Sequence, residues 1–221
     1  MKKFIREKYR DVEESIYAVD YSEIYDDFIN FGVGDPDLAT DEVIIKEAYD
    51  SQIAGHTHYA DPQGYIGLRK AIADFYNEDF GVACDPDEVM ITMSGTEGMF
   101  LILQAILEEG DEVIVPSPYF SVYPDQVDMA GGKTVFYDTK FENDFDIIPS
   151  ELEKLINEKT KAIIINTPNN PTGAVYSDET LKEIYDLAVK HDILVICDDI
   201  YTIYSYESAF TRSEEHTSEL Q

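Results

Sequence analysis

The chain has 221 residues, of which 44% are hydrophobic, enough apolar content for one sizeable core with a small appendage. Its 16 basic and 46 acidic residues give a formal net charge of −30, which argues against non-specific binding to nucleic acid and to anionic membranes. No apolar run approaches the ~20 residues that span a bilayer, and residues 1–10 lack the apolar core of a signal peptide. Two distant cysteines, Cys84 and Cys197, favour a reducing cytoplasm over a disulfide framework or a zinc site.

The first half of the chain predicts three helices and two strands. Thr40, Asp41 and Glu42 indicate a helix start, and Gly55 indicates the end of that helix. The other predicted elements of this half are a helix with apolar positions Leu68, Ile72, Phe75 and Tyr76 that ends near Gly81, a strand over 89–93, a helix over 96–108 and a strand over 112–115.

The second half continues the alternation of helices and strands. Ser150 and Glu153 have the spacing of a capping box, which predicts a helix from Ser150 through Lys159. Ser177 and the two acidic residues after it open a helix with Leu181, Ile184, Leu187 and Ala188 on one face. The remaining predicted elements are a helix over 122–130 and strands over 134–136, 162–165 and 193–196.

Short β-rich runs that alternate with amphipathic helices predict an α/β fold, in which a parallel sheet lies between two layers of helices. Such sheets bind ligands at the carboxyl ends of their strands. Four segments rich in polar and turn-forming residues fall at those predicted ends, at 94–97, 117–120, 166–173 and 198–201. The sequence therefore predicts one ligand site at this edge of the sheet.

The segment Ser94, Gly95, Thr96 follows a predicted strand and opens a helix. A helix N-terminus has unpaired N–H groups and a positive dipole end, so it suits a phosphate. Gly95 lets the backbone approach a ligand closely, and Thr96 adds a hydroxyl group. A simple Ser/Thr helix cap is the alternative interpretation. No Gly-x-Gly-x-x-Gly fingerprint is present, which disfavours a nucleotide-binding α/β protein.

Three further residues carry candidate binding groups. Phe120 can stack on a flat ring, with an ordinary place in the core as the alternative. Asn170 lies in the turn-rich segment 166–173 and is predicted to donate a hydrogen bond into the cleft, although a plain surface turn has the same composition. Asp198 follows a buried run, where a carboxylate needs a positive or donating partner unless it reaches solvent or caps a helix.

These segments, in this order and spacing, resemble the class I/II aminotransferases of fold type I, which use pyridoxal phosphate. The resemblance extends over nearly the whole chain. It implies a three-layer large domain, a mainly parallel sheet between helices, that is incomplete here. The implied domains are an N-terminal arm with a small-domain segment at 1–48 and a partial large domain that binds pyridoxal phosphate at 49–211.

The resemblance implies roles at the phosphate, at the face of the ring and at the substrate. Gly95 and Thr96 would hold the phosphate, and Phe120 would stack on the cofactor ring. Tyr59 would reach the phosphate bound in the partner subunit. Gly34 would offer its backbone to the carboxylate of the substrate, which makes it a substrate-binding residue.

The remaining implied roles concern the edge of the cofactor ring. Asp198 would bond to the ring nitrogen, and Asn170 and Tyr201 would bond to the ring oxygen. Asp198 and Tyr201 are the predicted catalytic residues, and Asn170 is also predicted to contact the substrate. No metal ligands are predicted.

The resemblance also implies parts that this chain lacks. The family's Schiff-base lysine, expected in a Ser/Thr-rich context, does not follow Tyr201, so the chain is expected to be an inactive fragment of an active enzyme. Two further strands of the family's sheet are expected beside the strand over 89–93, which would otherwise lack neighbours. Residues 212–221 read as a translated sequencing adapter and are interpreted as an artefactual tail.

The predicted function is the transfer of an amino group between an amino acid and a 2-oxo acid by a cytoplasmic homodimer. A carbon-sulfur β-lyase on the same fold is the alternative within enzymes. A non-catalytic effector-sensing domain is a third possibility, disfavoured because no basic, DNA-binding helix precedes the first motif. Nucleic acid and membranes are not expected as partners.

Overall fold

A computed structural model of the chain describes residues 4, 6–9, 34 and 38–205. The chain divides into two units, Met1–His58 and Tyr59–Gln221. The domain boundaries predicted after residues 48 and 211 stay predictions. The tail at 212–221 lies outside the described residues.

The first unit contains helix α1 (Glu42–Ile53) and a short 3-10 turn at Glu7–Tyr9. The carboxylate of Asp41 accepts a hydrogen bond from the Val43 N–H at 2.8 Å and so caps the first turn of α1. Gly55 follows the helix with a φ of +90°, a conformation that glycine adopts without strain. The helix predicted from residues 40–55 is confirmed.

The second unit alternates helices with strands. Its helices are α2 (Ile66–Phe80), α3 (Ser94–Ile106), α4 (Val122–Met129), α5 (Pro149–Leu152) and α6 (Asp178–His191), and its strands are β1 (Glu112–Ser117), β2 (Lys133–Asp138), β3 (Thr160–Asn166) and β4 (Leu194–Asp198). These confirm the predictions of α2, α3, α4 and α6 and of all four strands, with small differences at their ends. No helix in the described part of the chain is long and apolar enough to cross a membrane.

The four strands form one parallel sheet in the order β2-β1-β3-β4. Because every strand runs in the same direction, Ser117, Asn166 and Asp198 lie at the same edge of the sheet. The segments that follow these residues are the ones predicted to bind a ligand. This edge therefore places the candidate functional residues near one another.

The core lies on both faces of the sheet, which is why the strands read as continuous apolar runs. Val113, Val115 and Ile164 face one hydrophobic cluster together with residues of α3 and α4. Ile163 and Ile165 face a second cluster that includes residues of α6. Neighbouring residues of one strand thus pack into opposite clusters, as the two-residue period of a strand requires.

The strand predicted over 89–93 is not formed, which corrects that prediction. The segment packs on a neighbouring turn instead: the Ile91 N–H donates to the Gln63 carbonyl at 2.8 Å, and a Cβ at Gly64 would stand only 2.3 Å from the Ile91 side chain. A strand needs a paired neighbour for its backbone groups. Among the described residues, no strand pairs with this segment.

The helix predicted over 150–159 is much shorter than expected, and its predicted capping box is wrong. Pro149 occupies the first position of α5, so the N-cap is Ile148, which makes no side-chain cap hydrogen bond. The Glu153 carboxylate instead accepts hydrogen bonds from Lys190 at 2.6 Å and His191 at 3.0 Å. A 3-10 turn at Glu153–Leu155 ends the helical segment.

Candidate active site

A cavity of about 520 Å³ lies in the second unit, at the carboxyl ends of β3 and β4 and the start of α3. Six of the residues predicted from the sequence line it together, contributed by four separate segments of the chain. They are Gly95, Thr96, Phe120, Asn170, Asp198 and Tyr201. The structure thus brings together residues that lie up to about a hundred positions apart in the sequence.

The N-terminus of α3 forms one end of this cavity. Ser94 begins the helix with a φ of +79°, and its carbonyl accepts a hydrogen bond from the Thr92 hydroxyl at 2.8 Å. At Gly95, no heavy atom lies within 4 Å of the place where a Cβ would stand, so the first turn faces open space. The first amides of a helix have no intrahelical partner and carry the positive end of the dipole. This end of the cavity is suited to an anion.

Asp198, the last residue of β4, lines another part of the cavity and is held by three neighbours. The Tyr123 hydroxyl donates to its Oδ2 at 2.7 Å, and the Ile200 N–H donates to its Oδ1 at 3.3 Å. The Asn166 side chain donates to its backbone carbonyl at 2.8 Å. The carboxylate therefore has a defined orientation while it remains part of the cavity wall.

Tyr123 is a residue of the site that the sequence analysis did not single out. Its side chain is buried, at 3% exposure, and it lines the cavity. Burial, and then the adjacent Asp198 carboxylate and their hydrogen bond, raises the pKa of the Tyr123 phenol far above its ordinary value. The phenol consequently stays protonated near neutral pH and acts as a hydrogen-bond donor.

Gln126 is a second polar residue that the sequence analysis missed. It lies one helical turn after Tyr123 on α4, is buried at 7% exposure, and donates from Nε2 to the Thr96 carbonyl at 2.8 Å. The available signal was the i, i+3 spacing of Tyr123 and Gln126, which places them on the same side of the helix predicted over 122–130 as apolar Val127. Spacing alone does not reveal which groups these side chains contact.

Asn170 and Tyr201 contact each other in the wall of the cavity. The Asn170 Nδ2 donates to the Tyr201 hydroxyl at 3.3 Å, and the Asn170 N–H donates to the Asn166 Oδ1 at 2.8 Å. Phe120 packs edge-on against the Tyr123 ring, with the ring centroids 5.7 Å apart. An amide, a phenol and an aromatic ring thus surround the space beside Asp198.

Two predicted site residues are not part of this cavity. Tyr59 is fully exposed and does not line it. Gly34 is exposed and belongs to the first unit. Their predicted contacts, with the phosphate of a partner subunit and with the substrate, stay predictions.

The sheet order, the helices on both faces and the cavity at the strand ends are the arrangement expected of a fold-type I transferase. Solved structures share this fold. Aspartate aminotransferase from Thermus thermophilus with maleate matches with a TM-score of 0.81 and 39% identity, over 83% of this chain and 48% of that chain. Aromatic aminotransferase from Pyrococcus horikoshii matches with a TM-score of 0.83 and 38% identity, over 86% of this chain and 51% of that chain.

The family model for aminotransferase class I and II matches residues 26–218, and the chain belongs to this family. Aspartate aminotransferase of Bacillus subtilis (strain 168) is 40% identical over 180 residues, which are 81% of this chain and 46% of that protein. Aromatic-amino-acid aminotransferase 2 of Thermococcus litoralis is 41% identical over 180 residues, again 81% of this chain and 46% of that protein.

The chain spans about half the length of the curated relatives it matches. The predicted family and the predicted α/β fold are both confirmed. Enzymes of this family use pyridoxal phosphate.

Proposed function

We propose that the complete protein is a pyridoxal-phosphate-dependent aminotransferase, which moves an amino group between an amino acid and a 2-oxo acid. One observation carries this proposal. A single cavity is lined by a helix N-terminus that is suited to an anion, by the carboxylate of Asp198, and by an amide, a phenol and an aromatic ring. Family membership and the names of the relatives support the same activity.

The residues at the start of α3 fit the phosphate end of the cofactor. The backbone amides of the first turn and the Thr96 hydroxyl are donors, and the open space over Gly95 admits a group close to the backbone. The described residues that line the cavity include no lysine or arginine. Backbone amides, hydroxyl groups and the helix dipole are therefore what these residues offer to the phosphate.

The residues beside β4 fit the ring end of the cofactor. The Asp198 carboxylate suits a protonated ring nitrogen, because a carboxylate accepts a strong hydrogen bond from a cationic N–H. Asn170 and Tyr201 offer an amide and a hydroxyl to the ring oxygen, and Phe120 offers an aromatic face. These side chains therefore match the nitrogen, the oxygen and the face of the cofactor ring.

The chain's own residues bind the cofactor, orient it and hold a proton on it. When bound, pyridoxal phosphate supplies an electron-accepting ring for the electron pair left at the amino acid's α-carbon. Asp198 favours the protonated form of the ring nitrogen, which is the form that attracts electrons most strongly. Tyr201 and Asn170 fix the ring oxygen.

Several features of the complete enzyme belong to the same proposal. A Schiff-base lysine outside this sequence, a homodimer in which Tyr59 reaches the partner's phosphate, and a substrate contact at Gly34 are inferred from the family resemblance. A cytoplasmic location is also proposed, on the basis of the reduced cysteines and the acidic composition.

The cofactor proposal predicts a specific role for Asp198. Pyridoxal phosphate should bind to the 221-residue chain in equilibrium dialysis, and Asp198→Ala should weaken this binding by about 10- to 100-fold because a charge-assisted hydrogen bond is lost. Asp125→Asn, an exposed change on α4, is the control and should leave the affinity unchanged. Equal affinities of wild type and Asp198→Ala would contradict the assignment.

The transfer activity is tested on the complete product of the gene. Aspartate and aromatic amino acids are the donors to assay first, because they appear in the names of the relatives. The proposal expects amino transfer that depends on an added 2-oxo acid. Release of pyruvate and sulfide from a sulfur amino acid, without need of a 2-oxo acid, would instead indicate the β-lyase alternative.

A further inference from the structure

Helix α4 carries two buried polar side chains that bond to two different segments of the cavity wall, the end of β4 and the start of α3. Tyr123 and Gln126 are three residues apart, so they lie on the same side of the helix. Tyr123 extends to the end of β4, and Gln126 extends to the start of α3. The next residue, Val127, is fully buried in the first core cluster and anchors the helix.

Tyr123 holds the carboxylate of Asp198 from within the core. Its hydroxyl donates to Oδ2 at 2.7 Å. The other carboxylate oxygen, Oδ1, accepts a hydrogen bond from the Ile200 N–H at 3.3 Å. Phe120 packs edge-on against the Tyr123 ring and restricts its movement. Burial together with the adjacent carboxylate raises the pKa of Tyr123, so the donor is retained over the working pH range.

Gln126 holds the first turn of α3. Its Nε2 donates to the Thr96 carbonyl at 2.8 Å, while its Oε1 is buried and has no hydrogen-bond partner among the described residues. A buried amide with an unsatisfied oxygen destabilises a protein, so an apolar residue of similar size would be the more stable choice here. The contact with Thr96 is what the glutamine provides at this position.

We propose that α4 is a positioning element of the cofactor site, with Tyr123 fixing the carboxylate that meets the ring nitrogen and Gln126 fixing the helix turn that meets the phosphate. This inference rests on the proposed function. Because both residues belong to one helix, the separation between the two ends of the site is set by a rigid element rather than by loops. Neither residue is required to touch the cofactor for this role.

The two residues should have separable effects on ligand binding. Pyridoxal has the same ring as pyridoxal phosphate but no phosphate. Tyr123→Phe should weaken the binding of both ligands by a similar factor of about 10, because it acts at the ring end. Gln126→Met should weaken only pyridoxal phosphate, by about 10-fold, and change the affinity for pyridoxal by less than about 2-fold, because it acts at the phosphate end.

Two control variants separate positioning from general damage to the fold. Tyr137→Phe removes the hydroxyl of another buried tyrosine, which accepts a hydrogen bond from the Ile148 N–H at 3.0 Å in the second core cluster. Asp125→Asn changes an exposed residue of α4 itself. Both controls should retain wild-type affinities. Equal losses for the two ligands in Gln126→Met, or unchanged affinities in both test variants, would overturn the inference.

A measurement without ligand keeps the inference testable independently of the proposed function. In the free chain, Gln126→Met should increase amide hydrogen exchange in residues 98–100, and Tyr123→Phe should increase it in residues 198–201, each by about 10-fold. Unchanged exchange in both segments would refute the positioning roles. Failure of the wild-type chain to bind pyridoxal phosphate, with these exchange effects present, would refute the assignment of this cavity as the cofactor site instead.

Discussion

Asn166, the last residue of β3, joins two parts of the site through one buried side chain. Its Nδ2 donates to the Asp198 carbonyl at 2.8 Å, and its Oδ1 accepts from the Asn170 N–H at 2.8 Å. Both ends of the amide are therefore used, at only 4% exposure. The Asn166 side chain therefore fixes the position of the end of β4 relative to the loop that carries Asn170.

Glu112, at the start of β1, is a second residue whose neighbours determine its chemistry. The Asn157 Nδ2 donates to Glu112 Oε2 at 2.8 Å, and the Lys133 ammonium lies 3.5 Å from Oε1. The hydrogen bond from Asn157, followed by the charge of Lys133, lowers the pKa of the Glu112 carboxyl. A lowered pKa in the folded state means that ionised Glu112 stabilises the fold above the ordinary pKa of about 4.3.

Glu112→Gln should therefore reduce the dependence of stability on acid pH. The stabilising contribution of ionised Glu112, on the order of 1 kcal/mol, is present above about pH 4.3 and is lost as the pH falls through the lowered pKa. The free energies of unfolding of wild type and variant should differ at neutral pH and converge in acid. Urea unfolding at several pH values measures this. Glu109→Gln, at an exposed position nearby, is the control, and a difference that persists in acid would contradict the prediction.

At the scale of elements, α4 and α6 both follow a serine but begin differently. The Ser177 Oγ accepts a hydrogen bond from the Thr180 N–H at 3.1 Å and caps α6. Ser121 occupies the same position before α4 and makes no side-chain cap hydrogen bond. The sequence signal at Ser177 was sufficient to predict the helix, since the side chain satisfies a free donor of the first turn.

Replacing each serine by alanine should separate these two kinds of helix start. Ser177→Ala should lower the free energy of unfolding by about 1 kcal/mol, because an N–H of the first turn loses its partner. Ser121→Ala should change it by less than about 0.5 kcal/mol, as expected for a surface substitution. Chemical denaturation of the two variants measures the difference. Equal effects at both serines would show that the cap hydrogen bond contributes nothing.

At the scale of the whole molecule, the net charge of −30 opposes the compact state. Exposed ion pairs within helices, such as Lys182 with Asp186 at 3.2 Å, each contribute little to the free energy of unfolding. The excess of acidic residues is far larger than such pairs can offset. Repulsion between exposed carboxylates is therefore expected to limit stability at low ionic strength.

Salt should stabilise this protein. Raising NaCl from about 0.05 to about 0.5 M shortens the screening length from above 10 Å to well below it, and should raise the midpoint of thermal unfolding. The increase should be smaller in a variant of α2 that carries Asp74→Asn, Glu78→Gln and Asp79→Asn, since three exposed charges are removed. Thermal unfolding followed by circular dichroism measures both midpoints. A midpoint that falls with added NaCl would contradict this account.

The order of elements could be predicted from the sequence because it depends on local patterns. The run 162–165 is apolar throughout since β3 is buried on both faces, and the α6 pattern repeats with the period of a helix. The same local patterns predicted that Gly95 and Asp198 each follow a strand. Because the strands of the sheet are parallel, residues that follow them lie at the same edge. Fold class and most candidate site residues followed from this alone.

Tertiary structure decided the features that depend on distant partners. The segment 89–93 has the composition of a strand but lacks a paired neighbour among the described residues, and pairing cannot be read from composition. Tyr123 meets Asp198 across 75 positions of sequence, and Gln126 meets Thr96 across 30. A hydrogen bond between side chains depends on where two elements pack, so only the folded chain identifies α4 as part of the site.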